Sequence, residues 1–333
     1  MKMERKASKK LMERVQILLK KRGQTAFEIA KNAILQEKSI NEPVYTALRY
    51  FMEESWYDVQ HPALLSLASE AVGGNSNAAI HVGAAIVLLT GAADIHDDII
   101  DKSKTKGSKP TVFGEFGKDI ALLAGDALLF KGLILLNEAC DKLPEKQGRT
   151  ILNLIKQAFF EMGNAEAKEV SLKGNFDLDP REYRDVIERK ASVAETTARI
   201  GAILGGGNSK EIDILGHYGK ILGILMAIRD DFIDLFEPDE LRNRTENECL
   251  PLPILYAFRN ARKKSEIVRL LRRDKITEQE TDEILDLIMD TKEVEELKKE
   301  MQLLIEMEEG SLNHIKKNRN LFKLLLQSTL EDL

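Results

Sequence analysis

Cysteine, tryptophan and proline are scarce in this chain of 333 residues, which holds two, one and eight of them. The two cysteines, Cys140 and Cys249, are far apart, with no CxxC spacing and no nearby His pair. That excludes a disulfide framework and a structural zinc site, and it predicts a reducing compartment, the cytoplasm. Excess positive charge is missing too. With 49 Lys and Arg against 55 Asp and Glu the net charge is −6, a balance that argues against a nucleic-acid partner. The basic N-terminus leads into no unbroken apolar stretch or cleavage site, so no targeting segment is expected. The longest apolar window, Val82 to Ala93, is twelve residues long; about 20 are needed to cross a bilayer, so no transmembrane segment is expected. The greasy stretch from Ile120 to Leu136 is interrupted by Asp126 and Lys131, which are costly in lipid. Both stretches are assigned to a protein core.

What is present is helical pattern. The prolines, at 43, 62, 110, 144, 180, 238, 251 and 253, leave long intervals free. Leu11, Val15, Leu18 and Leu19 share one helical face, as do Ile151, Leu154, Ile155, Phe159 and Met162, whereas period-two alternation is rare. The expectation is an all-α protein of ten or more helices, a single domain over 1–333 with a basic first helix over 1–22. Breaks are expected at Gly73 to Asn75, Lys102 to Pro110, Lys142 to Gln147, Gly174 to Pro180 and Glu237 to Pro253, none long enough for a domain linker.

One internal echo carries chemistry. His96-Asp97-Asp98-Ile99-Ile100-Asp101 is repeated in kind by Arg229-Asp230-Asp231-Phe232-Ile233-Asp234. On a helix, positions i and i+4 share a face, so Asp97 projects with Asp101 and Asp230 with Asp234. Like charges one turn apart repel, and a hard divalent cation offsets that repulsion; Mg²⁺ takes one or two carboxylates plus phosphate oxygens and water. Asp98 and Asp231 point off that face and are expected to support the ligands or to act as occasional ligands. A solvated acidic face is the competing reading, and repetition within two apolar segments weighs against it.

The segments ADIHDDIID, GSKPTVFGEFGKDIALLAGDALLF, YRDVIERKAS and IRDDFIDLF, in that order, resemble the trans-isoprenyl diphosphate synthase (polyprenyl synthetase) family over about residues 40–300. The resemblance implies an isoprenoid synthase helical bundle around a central cavity, commonly a homodimer, that uses Mg²⁺ to lengthen an allylic diphosphate with isopentenyl diphosphate. By the same resemblance Asp97, Asp101 and Asp230 are metal ligands, with Asp98, Asp231 and Asp234 beside them. Lys190 matches a lysine that holds the allylic diphosphate, and Lys106 is placed with it. Lys109 and His61 are the candidate contacts to isopentenyl diphosphate. Ala93, Ala92 and Leu89 lie four, five and eight residues before Asp97, where they would line the cavity that houses the growing chain. Two alanines leave room for a product longer than C15.

The chain departs from the family where the second diphosphate is held. Asp58 and His61 replace a lysine and an arginine, Lys106 and Gly107 an arginine pair, Met226-Ala227 a Phe-Gln pair, and Asn247 the lysine of a later loop. Charge-assisted bonds to phosphate are each worth about 1.5 to 3 kcal/mol, so the loss is large. Three readings follow: a synthase with a rebuilt second site, a subunit of a heteromeric synthase relying on a related partner, or a terpene cyclase or allylic diphosphate hydrolase. The last is disfavoured by the intact second aspartate motif. No Ser/His/Asp or Cys/His arrangement stands out, which fits a reaction in which the departing diphosphate takes the proton. Asp94 is read as a local hydrogen-bonding or dimer-contact acid, and Trp56 as core.

Overall fold

The computed structural model describes residues 2–273, 276–289 and 291–331. Among them are fifteen α-helices and one short antiparallel hairpin, β1 (Thr105–Lys106) and β2 (Lys109–Pro110), so the all-α expectation holds. The apolar helix α4 (Ser76–Ile100) packs against α5 (Val112–Cys140), α1 (Lys2–Leu35) and α3 (Gln60–Val72). On the other side, α9 (Ser209–Asp234) packs against α8 (Ser192–Leu204) and α7 (Pro180–Lys190), and α6 (Glu145–Leu172) runs along α7 and α8. Both α4 and α9 touch α3 and α8, which therefore set the spacing between the two helices that end in aspartate motifs.

Local chemistry explains where the helices begin. Asp179 accepts from the amide of Arg181 ahead of Pro180, which opens α7, and Asn208 with Glu211 forms a reciprocal capping box at α9. Thr111 caps α5 by accepting from Gly114 N, and its hydroxyl donates to the Ser103 carbonyl at 2.7 Å. That second bond pins the hairpin beneath the end of α4. Gly117, at φ 78°, interrupts α5 in a conformation that only glycine adopts cheaply. Gly125 is required for closeness instead: a Cβ there would meet His96 Nε2 at 2.5 Å.

Helix α1 extends beyond the expected basic segment, and Val15 and Leu18 on it are buried in the main apolar cluster. Helix α4 is long and apolar enough to cross a membrane by length and composition, but 61% of that window is buried inside the fold. Trp56 stacks on Phe51 at 4.8 Å between ring centroids. Both cysteines are free and buried.

Two expectations are corrected. The break over Glu237 to Pro253 contains the helices α10 (Pro238–Asn247) and α11 (Leu252–Ala257). Helix α10 has almost no apolar periodicity; it forms around a helix-opening proline, acids in its first turn, and buried Leu241 and Arg244. The stretch from Ile120 to Leu136 is only half core. Ala121, Ala124, Leu128 and Leu136 are buried, while Leu123, Phe130, Leu133 and Ile134 are 51%, 68%, 47% and 50% exposed. Phe159 and Phe160 on α6 are exposed as well.

Candidate active site

The end of α4 carries Asp97, Asp98 and Asp101, and the hairpin returns a lysine onto it. Lys106 Nζ is 2.8 Å from Asp94 Oδ1 and 2.9 Å from Asp98 Oδ1, the local role expected of Asp94. Lys173, just past α6, places its Nζ 2.8 Å from Asp101 Oδ1 and 3.1 Å from the Ile100 carbonyl. Asp97 keeps a buried Oδ1 with no hydrogen-bond partner. Burial, with repulsion among the acids, pushes Asp98 and Asp101 each up to about 7.

The end of α9 is built differently. Asp231 is turned into the protein, where it accepts from Arg244 Nη2 at 2.5 Å, Tyr183 Oη at 3.1 Å and Leu252 N at 2.9 Å. Arg244 also meets Glu248 at 3.0 Å, so this buried network orients the motif from behind. Asp230 opens onto a cavity, and Asp234 is half-buried. Burial lifts Asp230 to about 6 and Asp234 to about 8, with the neighbouring carboxylates adding to it.

Between the two clusters stands Lys190, at the end of α7. Its Nζ is 2.8 Å from Glu166 Oε1 and 2.6 Å from Glu169 Oε2, both on α6. Burial opposes the charged amine, but Glu169, Asp97 and Glu166 outweigh it and hold Lys190 well above its ordinary value. Glu166 is pushed up to about 8 by burial and by Asp97. Asn243 Nδ2 on α10 bonds Ser103 Oγ at 2.9 Å and Glu248 Oε1 at 2.7 Å, which ties the two motifs together across the site. Glu240 is raised by burial and lies in the field of Lys106 and Asp101 as well as of Arg244.

Two hollows meet this acid wall. One, of about 120 Å³, is lined by Leu89, Ala92, Ala93 and His96 beside Asp97 and Glu166. The other, of about 530 Å³, is lined by His61, Lys190, Arg229 and Asp230 among apolar side chains of α1, α8, α9 and α15 (Arg319–Ser328). Lys109 is elsewhere: its Nζ bonds the Glu54 carbonyl in a separate hollow with Trp56. Among the described residues no three Asp, Glu, His or Cys converge into a ready-made metal site. The donor set is nonetheless hard oxygen, it is short of positive charge, and it includes an orphaned carboxylate oxygen. That fits a cation delivered together with phosphate oxygens.

The family model of polyprenyl synthetases matches residues 59–288. The chain belongs to the polyprenyl synthetase family. A geranylgeranyl diphosphate synthase from Sulfolobus acidocaldarius is 31% identical over 175 residues, 52% of this chain and 53% of that one. A relative from Arabidopsis thaliana, named as the large subunit 1 of a heterodimeric geranylgeranyl pyrophosphate synthase, is 27% identical over 281 residues, 79% of this chain and 75% of that one. The chain spans between about half and two-thirds of the length of the first curated relatives it matches. The solved geranylgeranyl pyrophosphate synthetase of Pyrococcus horikoshii superposes with a TM-score of 0.82, at 24% identity, covering 97% of this chain and 99% of that one. This polyprenyl synthetase fold is therefore the architecture expected from the motifs.

Several site residues were invisible in the motif reading. Glu166, Glu169 and Lys173 belong to no aspartate cluster, and only the turn from α6 into α7 brings them in. Asp58 and His61 stand where the family has two cations, with His61 a candidate contact to isopentenyl diphosphate; in the structure they bond each other at 2.8 Å through Asp58 Oδ2 and His61 Nδ1, a pairing that their three-residue spacing allows.

Proposed function

We propose that the protein is a Mg²⁺-dependent prenyltransferase that ionises an allylic diphosphate and lengthens it with isopentenyl diphosphate. The observation that carries this reading is the pair of acid clusters on either side of Lys190, the first of which holds Asp97 with a buried, unpartnered Oδ1. Asp97, Asp101 and Asp230 would hold the metal, and Asp98, Asp231 and Asp234 would keep them in place. When bound, Mg²⁺ supplies Lewis-acid neutralisation of the charge growing on the departing diphosphate. Lys190 and Lys106 would bind the same diphosphate once they leave their carboxylate partners, Glu166 and Glu169 for Lys190 and Asp94 and Asp98 for Lys106, for its more concentrated negative charge. As the allylic C–O bond breaks, C1 meets the double bond of isopentenyl diphosphate, and the proton lost from the condensation cation passes to the released diphosphate.

For the second substrate the reading gives His61 the contact that Lys109 would make only after leaving Glu54. Arg229, whose buried Nε has no partner, is the further cation on that cavity. Incubation with Mg²⁺, labelled isopentenyl diphosphate and allylic diphosphates of C5 to C20 tests the assignment. A longer labelled diphosphate is expected, and its absence with and without a related subunit would refute it.

A partner subunit is the second element of this reading. The exposed row Leu123, Phe130, Leu133 and Ile134 on α5, with Phe159 and Phe160 on α6, is an apolar surface of the kind that marks an interface. We assign it to a second copy of this chain or to a related subunit. The cation-poor acceptor cavity favours the related subunit where the isolated chain proves silent.

A further inference from the structure

We propose that Asp58 and His61 form a general-base dyad in the cavity beside Asp230, and that the allylic cation is captured there by the hydroxyl of an otherwise apolar acceptor, water being the smallest. The inference rests on the allylic ionisation proposed above and goes beyond it in the choice of acceptor.

The geometry is that of an oriented imidazole. Asp58 Oδ2 lies 2.8 Å from His61 Nδ1 and accepts from Thr90 Oγ1 at 3.1 Å, while Asp58 Oδ1 accepts from the Gln60 and His61 amides at 2.9 and 3.2 Å. A carboxylate held by four donors is fixed as an acceptor, so His61 carries its proton on Nδ1 and presents a basic Nε2. With Nδ1 committed to Asp58 and the ring lining the 530 Å³ cavity, Nε2 is the nitrogen left for a guest. Burial opposes the imidazolium, but Asp58 outweighs it and lifts His61 above its ordinary value, so the imidazolium formed when the ring takes a proton is stabilised by its partner. The titratable and charged groups facing it are Asp58 from its own turn, Lys190 from α7, and Arg229 and Asp230 from α9; α1 and α15 contribute Gln16 and Ser328 as polar side chains.

The rest of the cavity selects the guest. Met12, Leu19, Leu64, Leu222, Met226 and Leu325 wall it with hydrocarbon. Lys190 is engaged by two glutamates, so a second diphosphate would have only Arg229 and a His already paired to an Asp, with Asp230 beside them. A hydroxyl on an apolar body suits both wall and base. In the step, the allylic C–O bond breaks and its electron pair leaves with the diphosphate. The acceptor oxygen bonds C1, its proton moves to His61 Nε2, and the imidazolium remains paired with Asp58. No oxidant or reductant is needed.

The test uses the full chain with Mg²⁺ and farnesyl diphosphate, without isopentenyl diphosphate, once in H₂¹⁸O and once with 1-octanol. Expected products are ¹⁸O-labelled farnesol and farnesyl octyl ether, formed at a rate that rises with pH as His61 loses its proton. Asp58→Asn should cut the rate tenfold or more and move the rising limb to lower pH; His61→Gln should abolish the limb. Calorimetric binding of farnesyl thiodiphosphate to each variant separates a lost base from a collapsed pocket. A chain that forms no labelled alcohol or ether in this assay but elongates farnesyl diphosphate once isopentenyl diphosphate is added overturns the dyad alone. So does undiminished capture by a His61→Gln protein that binds the analogue. Neither elongation nor capture overturns the dyad and the prenyltransferase reading together.

Discussion

Arg244 places its Nη2 2.5 Å from Asp231 Oδ1, so the second aspartate of the later motif is anchored to a buried guanidinium one helix further along the chain. The same Arg244 meets Tyr183 Oη at 2.6 Å and Glu248 at 3.0 Å, and its Nε lies 3.9 Å from Asp234 Oδ2. One residue of α10 therefore fixes which carboxylates of the motif point inward. Asp230 is left as the member that opens onto the cavity.

Replacing Arg244 with Met is expected to destabilise the fold by about 3 to 5 kcal/mol, because it leaves Asp231 and Glu248 as uncompensated buried charges. Adding Asp231→Asn should recover part of that loss, since the two residues act through one contact. Denaturant midpoints of the single and double variants measure both effects. Losses that simply add would show that the pair is not coupled.

A pH dependence of opposite sign to the common one follows from the acid clusters. Asp230 at about 6, Asp98 and Asp101 at about 7 and Asp234 at about 8 all titrate above the ordinary aspartate range. A carboxyl raised in the folded state ionises first in the unfolded chain, so each of these groups costs stability as pH rises from its unfolded value to its folded one. The chelator-treated protein should lose stability between about pH 4 and pH 8, and Mg²⁺ with pyrophosphate should flatten the slope. Thermal midpoints across that range in the two buffers decide it, and a metal-free curve that rises with pH would contradict the charge arrangement.

How much of this was legible in the sequence differs by element. The helices around Asp97 and Asp230 were readable because 3.6-residue periodicity and an i, i+4 acid pair are local facts. Helix α10 was not, since Leu241 is its only buried apolar residue and the partners of its buried Arg244 lie on α7, on α9 and just past its own end. The same holds for Lys190 with Glu166 and Glu169, whose meeting depends on how α6 packs beside α7. Asp58 and His61 sit where the family has two cations; their spacing allows a pair, but the Thr90 hydroxyl from α4 and the cavity wall that constrain it come only from the fold. For α5, hydropathy identified a greasy helix correctly but could not tell which half faces the core.

That outward half predicts self-association. Phe130 is 68% exposed, flanked by Leu133 and Ile134, and a surface of this kind is seldom left in water. The purified chain is expected to sediment as a dimer, and Phe130→Glu should shift it toward the monomer without lowering its thermal midpoint below that of the isolated monomer. A parent chain that sediments as a monomer at micromolar concentration, alone and with a related subunit, would remove the interface.

Chain length should be governed where the two apolar hollows below Asp97 share walls. Leu89, Ala93, Phe159 and Met162 line both the hollow of about 120 Å³ next to Asp97 and a second of about 60 Å³ that reaches Ala158 and Thr197. Neither hollow alone matches the roughly 150 Å³ that an apolar cavity offers to benzene, so a long prenyl tail has to run through both, past the Phe159 and Met162 side chains of α6. Ala93→Phe adds a ring at the shared wall and should shorten the product by one or more C5 units. Phe159→Ala opens the same wall and should lengthen it; because Phe159 is 48% exposed, the fold should tolerate the change better than a core Phe→Ala, which costs about 3 to 5 kcal/mol. Chromatography of the dephosphorylated products reads both variants at once. Unchanged length in the two of them, with turnover intact, would place the tail outside this channel.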